Sequence, residues 1–152
     1  MDLAQAAKYL RAEGNTYLAK GEAYRHGEQY DRALGEYRQA ASIADKLANR
    51  DSWLWSLLGE ADCLLLLGQL DEASARLSAL EVVLRGASNR YPLEYLHWRL
   101  SKETIRFVAG KGGLPHRLRA QAAQYSKLGI VWPSAYVDAI IQTGAVREPK
   151  KM

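Results

Sequence analysis

The chain reads as an all-α protein, a stack of antiparallel helix hairpins closed by a C-terminal capping helix. Three observations carry that reading. Leu3, Ala7, Leu10, Gly14, Tyr17, Gly21 and Tyr24 alternate spacings of four and three, which puts them on one stripe of a helix. The stretch from Gly59 to Ala73 reads as a Leu-rich helix ending at Gly68, a tight turn, and a second helix restarting at Leu70. Finally, a shift of 40 residues lays Tyr17, Leu18, Gly21, Tyr24, Tyr30, Asp31, Ala33, Tyr37 and Ala40 onto Leu57, Leu58, Ala61, Leu64, Leu70, Asp71, Ala73, Leu77 and Leu80. Such self-similarity marks a repeat, in which one hairpin buries its apolar face only by stacking on the next. One domain over 1–152 is expected, with hairpins at about 2–50, 52–86 and 92–128 and a capping helix at about 133–143.

The elements follow in order. The first helix is expected over about 2–26. Gly14 weakens it by about 1 kcal/mol relative to Ala, which leaves room for a kink, whereas Gly21 is read as a place where the next helix approaches closely. Gly27 is expected to take the left-handed conformation that ends helices. The second helix starts at Tyr30 and carries a small-residue stripe, Ala33, Leu34, Tyr37, Ala40, Ala41, Ala44 and Leu47. Gly21 is expected to meet Ala33 across the first hairpin, and Ala61 to meet Ala73 across the second. Asp51 or Ser52 is expected to cap a third helix over 53–67, by accepting a bond from its open N–H groups. A fourth helix spans about 70–85, and Pro92 suits the first turn of a fifth. That helix carries Leu93, Leu96, Leu100, Thr104, Phe107 and Val108 inward, and a sixth runs from Pro115 to Lys127 through Leu118, Ala122 and Tyr125. Pro133 to Thr143, with Ala135, Val137, Ile140 and Ile141, is expected to close the stack, and the charged end from Arg147 to fray.

The turn Gly-x-Tyr/Leu-Asp-x-Ala and the positions around it resemble the tetratricopeptide repeat. That pattern asks for an aromatic or Leu, a small residue and another aromatic or Leu on the first helix, then small, aromatic or Leu, and small on the second. Tyr17, Gly21, Tyr24, Ala33, Tyr37 and Ala40 meet it fully; Leu57, Ala61, Leu64, Ala73, Leu77 and Leu80 meet it except at Leu80. The 40-residue period exceeds the family's usual 34 and suggests a longer-helix variant. The resemblance covers about 15–85 and is weaker over 91–128. It implies a right-handed superhelix whose odd-numbered helices line a concave groove that holds a segment of a partner protein. Carried over by motif, the groove would present Asn15, Leu18, Ala19, Glu22, Arg25 and His26 from the first repeat, and Trp55, Leu58, Gly59, Asp62 and Leu65 from the second. Of the Lys and Asn residues by which one subset of the family grips chaperone tails, this face retains Asn15 alone.

Composition narrows the class. Hydrophobic residues make up 48% and charged residues 25%, as in an ordinary globular protein. There is no apolar run of about 18 residues, nor a basic start followed by an apolar core, so neither a membrane span nor a signal peptide is expected, and the expected location is cytoplasmic. The single cysteine, Cys63, forms no intrachain disulfide and sits where a buried, inert thiol is expected. His26, His97 and His116 lack metal-ligand spacing, and Gly110-Lys111-Gly112-Gly113 lacks the order of a phosphate-wrapping loop. The acid pairs Glu60 with Asp62 and Asp71 with Glu72 point apart on their helices. No metal, no cofactor and no catalysis are expected.

Charge is unevenly spread. Residues 1–84 carry nine Lys/Arg against thirteen Asp/Glu, and residues 85–152 carry twelve against four. Such a dipolar chain can steer an acidic partner to its C-terminal half or stack on a second copy. On the fifth helix, Tyr95, Arg99, Lys102 and Arg106 fall at spacings of four, three and four and share one side. The leading expectation is a non-catalytic adaptor that binds a partner segment through Leu18, Trp55 and Leu58 as apolar anchors, with Arg99, Lys102 and Arg106 reading acidity. A second is nucleic-acid or polyanion binding, with Tyr95, Trp98 and Trp132 interleaved among cations. By analogy with long-period repeats in bacterial regulators, a third is a sensor or subunit module of a larger protein.

Overall fold

The computed structural model describes residues 2–87, 89–110 and 115–127, and every regular element among them is an α-helix. The order is α1 (Leu3–His26), α2 (Tyr30–Lys46), α3 (Arg50–Leu66), α4 (Leu70–Leu84), α5 (Pro92–Val108) and α6 (Pro115–Ser126). Each helix packs on the next in sequence, and α3 also touches α1 and α5. The odd-numbered helices thereby form one layer, backed by α2 and α4. The capping helix expected over 133–143 lies outside the described residues, as does Trp132.

Helices α2, α3 and α4 begin 20 residues apart, at Tyr30, Arg50 and Leu70, so the 40-residue repeat divides into equal helix-and-turn halves. The turns are alike. Glu28, Ala48 and Gly68 take left-handed backbones, with φ of 60°, 53° and 82°. After them Gln29, Asn49 and Gln69 donate their N–H groups back to the carbonyls of Tyr24, Ala44 and Leu64. This closure satisfies carbonyls that a helix end leaves open. The left-handed residue of the first turn is therefore Glu28 and not Gly27, whose φ is −85°, because the bonds to Tyr24 and Arg25 fix where the chain must reverse. A side chain in that conformation costs about 1–2 kcal/mol, which the two paired backbone bonds offset.

The cap of α3 also differs from expectation. Asn49, rather than Asp51 or Ser52, accepts the N–H of Ser52 at 3.3 Å, because the helix begins at Arg50. Asp51 then sits in the first turn, where its charge suits the helix dipole. Helix α1 carries a capping box: Asp2 accepts from the Gln5 N–H at 2.8 Å, and the Gln5 side chain accepts from the Asp2 N–H.

At the centre of the packing stands Tyr37 of α2, fully buried. Its ring fills the space between α1 and α3. A methyl group on Gly21 would stand 3.0 Å from that ring, and one on Gly59 2.5 Å. The nearest neighbour of Gly21 is thus the Tyr37 ring, and Ala33 contributes to the same core cluster as Tyr37, alongside Cys63, Leu64 and Ala73. Gly14 has a similar reason: a methyl there would come within 2.9 Å of Ile43 Cγ2, and α1 runs through it unbroken. In α3 every residue from Ser56 to Leu65 is buried, since α1, α2, α4 and α5 all touch this helix.

Adding a methyl group at Gly59 should overpack the ring and destabilise by about 1–3 kcal/mol, and Gly21→Ala should do so to a smaller degree. Gly35 on the same helix as Tyr37 has open space around it, so Gly35→Ala should stabilise by about 0.5–1 kcal/mol through helix propensity. Urea denaturation of the three variants checks both signs.

Candidate functional site

Two polar regions stand out, one in the odd-numbered layer and one between α4 and α5. In the first, Asp62 of α3 is fully buried. Its Oδ2 accepts from Arg25 Nη1 of α1 at 3.0 Å and lies 2.9 Å from His97 Nε2 of α5, while Oδ1 accepts from Ser101 Oγ at 3.3 Å. Arg25 also pairs with Glu22 at 2.6 Å. Burial is the largest single influence and works against the Arg25 charge, but Asp62 and smaller contributions from Tyr37, Glu22 and Cys63 together outweigh it and hold the guanidinium above its ordinary pKa. The Trp55 ring stands edge-on to His97, with centroids 5.8 Å apart.

The resemblance brought Glu22, Arg25 and Asp62 forward as groove residues, and the fold unites them with His97 and Ser101, which the sequence reading did not place at a site. Their only signal was a spacing of four along α5, which aligns them on the side facing α3. Asp62, His97 and Ser101 are the residue types of a nucleophilic relay, but the order is wrong for one. The serine hydroxyl bonds to the Asp62 carboxylate, and the imidazole Nε2 faces the other oxygen of that same carboxylate, whereas a relay would require it to face the serine. What the arrangement does is tie α1, α3 and α5 together with charge-assisted bonds.

The remaining groove residues divide. Asn15 and His26 are exposed, and Leu18 and Trp55 are half-buried. Leu58 is fully buried and Leu65 is 1% exposed, so neither offers an apolar anchor at the surface, and Gly59 faces Tyr37. The reason is that α3 is enclosed on four sides, where a groove-lining helix would keep one side open.

Tyr95, Arg99, Lys102 and Arg106 do share one side of α5, but that side borders α4 rather than the layer of α1 and α3. The Arg99 guanidinium lies 6.0 Å from the Tyr95 ring centre, and Lys102 Nζ lies 4.1 Å from that of Trp98. Trp98 is buried and donates its Nε1–H to the Leu77 carbonyl at 2.9 Å. Beside it a cleft of about 260 Å³ opens between α4 and α5. Leu77, Trp98 and Ile105 form its apolar floor, Lys102 and Arg106 its cationic rim, and Ser74, Ser78 and Glu81 the opposite wall.

Two further buried groups belong to the scaffold. Burial pushes the Cys63 thiol up to about 12, with the Asp62 charge adding to it, which keeps it protonated and inert. Burial likewise raises the Glu60 carboxyl above its ordinary range, opposed by Arg76 and Arg38; Arg76 Nε lies 3.0 Å from it. No helix among the described residues is long and apolar enough to cross a membrane. No family model matches this chain, and comparisons with curated proteins and with solved structures find no match.

Asp62→Ala should destabilise by about 3–5 kcal/mol, because it breaks the buried end of the Arg25 ion pair and takes away the shared acceptor of Arg25, His97 and Ser101 at once. The double variant Arg25→Met/Asp62→Leu should recover a large part of that loss in urea denaturation. Glu60 gives a separate test of sign. Its folded pKa is raised, so its contribution to stability is complete below the ordinary carboxylate range, about pH 4, and is lost as pH rises through the raised value. Denaturation across that range should show Glu60→Gln gaining stability relative to the parent as pH increases.

Proposed function

We propose that this protein is a non-catalytic interaction module that holds an acidic, apolar-anchored segment of a partner protein against the α4–α5 cleft. The observation that carries the reading is the make-up of that cleft, an apolar floor beneath Lys102 and Arg106. Apolar burial supplies affinity, while rim cations mainly steer and orient an acidic partner. The excess of cations beyond residue 84 adds to the steering. The odd-layer face supports the reading less well, because its charged groups bond to each other and its largest aliphatic side chains are buried. A nucleic-acid reading is weaker again: Trp98 is buried with Lys102 over its ring, so that ring has no free face for a base to stack on.

The test is selection of a displayed random-peptide library on the full chain, followed by affinity measurement of the enriched sequences. Peptides that pair aliphatic or aromatic anchors with Asp or Glu are expected. Lys102→Glu/Arg106→Glu should weaken them by about 10-fold, and Ser78→Trp, which fills the cleft from its exposed wall, should do the same without touching the core. Asn15→Ala should have no effect. Peptides that tolerate Ser78→Trp but depend on Trp55 would move the site to the odd-layer face and overturn the assignment.

A further inference from the structure

A second cleft, of about 290 Å³, lies on the far side of α3 from the Asp62 network's end of that helix, at the start of α3. Three arginines from distant parts of the chain line it: Arg11 of α1, Arg50 at the start of α3, and Arg90 in the connection before α5. Among the described residues Asp51 is the one carboxylate in the lining, so they bring a net excess of cations to the cleft. Among the described residues none of the three is ion-paired with a carboxylate. Instead Arg50 lies 4.9 Å from the Trp53 ring centre and Arg90 5.4 Å from that of Tyr91. Stacking on an aromatic face steadies a guanidinium plane while leaving its N–H fork open.

We infer that this cleft binds a compact phosphate dianion, a phosphate monoester or pyrophosphate group carried by a small molecule. Gathering like charges around one cavity raises the energy of the free protein, and a doubly charged oxyanion reverses the sign of that interaction. Guanidinium forks match phosphate oxygens in geometry, two N–H groups to two oxygens. The cleft is small and its cations are local, which suits one phosphate group rather than a nucleic-acid backbone, whose binding needs a track of cations. This site is separate from the α4–α5 cleft, so it stands or falls independently of the partner-binding reading.

Inorganic pyrophosphate titrated into the isotope-labelled full chain at constant ionic strength tests the inference. Saturable amide shifts confined to residues 47–51 and 90–91 are expected. Arg11→Gln/Arg90→Gln, both at exposed positions, should weaken binding by about 10-fold or more while circular dichroism stays unchanged and the melting temperature of the free protein does not fall. Lys102→Glu should bind pyrophosphate as the parent does. Shifts that spread over the surface without saturating, or equal affinity in the double variant, would overturn the site. So would a single-stranded oligodeoxynucleotide that binds more tightly than pyrophosphate and with a steeper salt dependence, since that would replace a compact ligand by a backbone track.

Discussion

The packing of Tyr37 between two glycines sets the spacing of the whole stack. Its ring occupies the volume that side chains at Gly21 and Gly59 would otherwise take, so α1 and α3 both close onto one face of α2. Because interiors are packed to near-crystalline density, a ring in such a slot admits one separation of the flanking helices. Among the described residues the phenol oxygen has no hydrogen-bond partner, and burial drives its pKa upward. Filling this volume with an aromatic ring thus takes precedence over satisfying one hydroxyl.

From that slot follows the enclosure of α3 and, with it, the need to compensate two buried carboxylates. Asp62 and Glu60 lie two residues apart and so point to different sides of the helix. Asp62 is met by Arg25, His97 and Ser101 from α1 and α5, and Glu60 by Arg76 from α4. An unpaired charge in such surroundings is strongly unfavourable, so each carboxylate selects the helices that can lie beside it. These pairs act as register marks between layers, which an entirely apolar α3 would lack.

The two clefts arise where this close packing gives way. On α2 the buried residues include Ala33, Ala40 and Ala44 beside the Tyr37 ring, which seats against Gly59 of α3, and α2 and α3 approach along their length. Between α4 and α5 the indole of Trp98 intervenes, anchored to the Leu77 carbonyl, and the helices approach less closely. Space therefore remains over Leu77 and Ile105, rimmed by cations. The arginine-lined cleft has a different origin: it sits over the turn between α2 and α3, where the chain reverses at Ala48 and leaves a concavity that Arg11 and Arg90 border.

Local chemistry determined the helices themselves. Spacings of three and four among apolar and small residues, the Gly68 turn and Pro92 were enough to place α1 through α5 close to their observed ends, because helix formation and termination depend on neighbours within a turn or two. The 40-residue shift likewise revealed the repeat, since equivalent positions must meet equivalent surroundings. Finer local features escaped, such as Glu28 in place of Gly27 and Asn49 in place of Asp51, because several polar residues near a helix end compete for the same open groups. What only the tertiary structure decided was which side of each helix stays exposed. Leu58 and Asp62 sit on the side that motif spacing assigns to a groove, yet α5 and α1 cover them; Lys102 and Arg106 lie on one stripe as spacing requires, yet face α4. Periodicity places residues on a common face of their own helix, but whether that face meets water or another helix is settled by contacts between segments tens of residues apart.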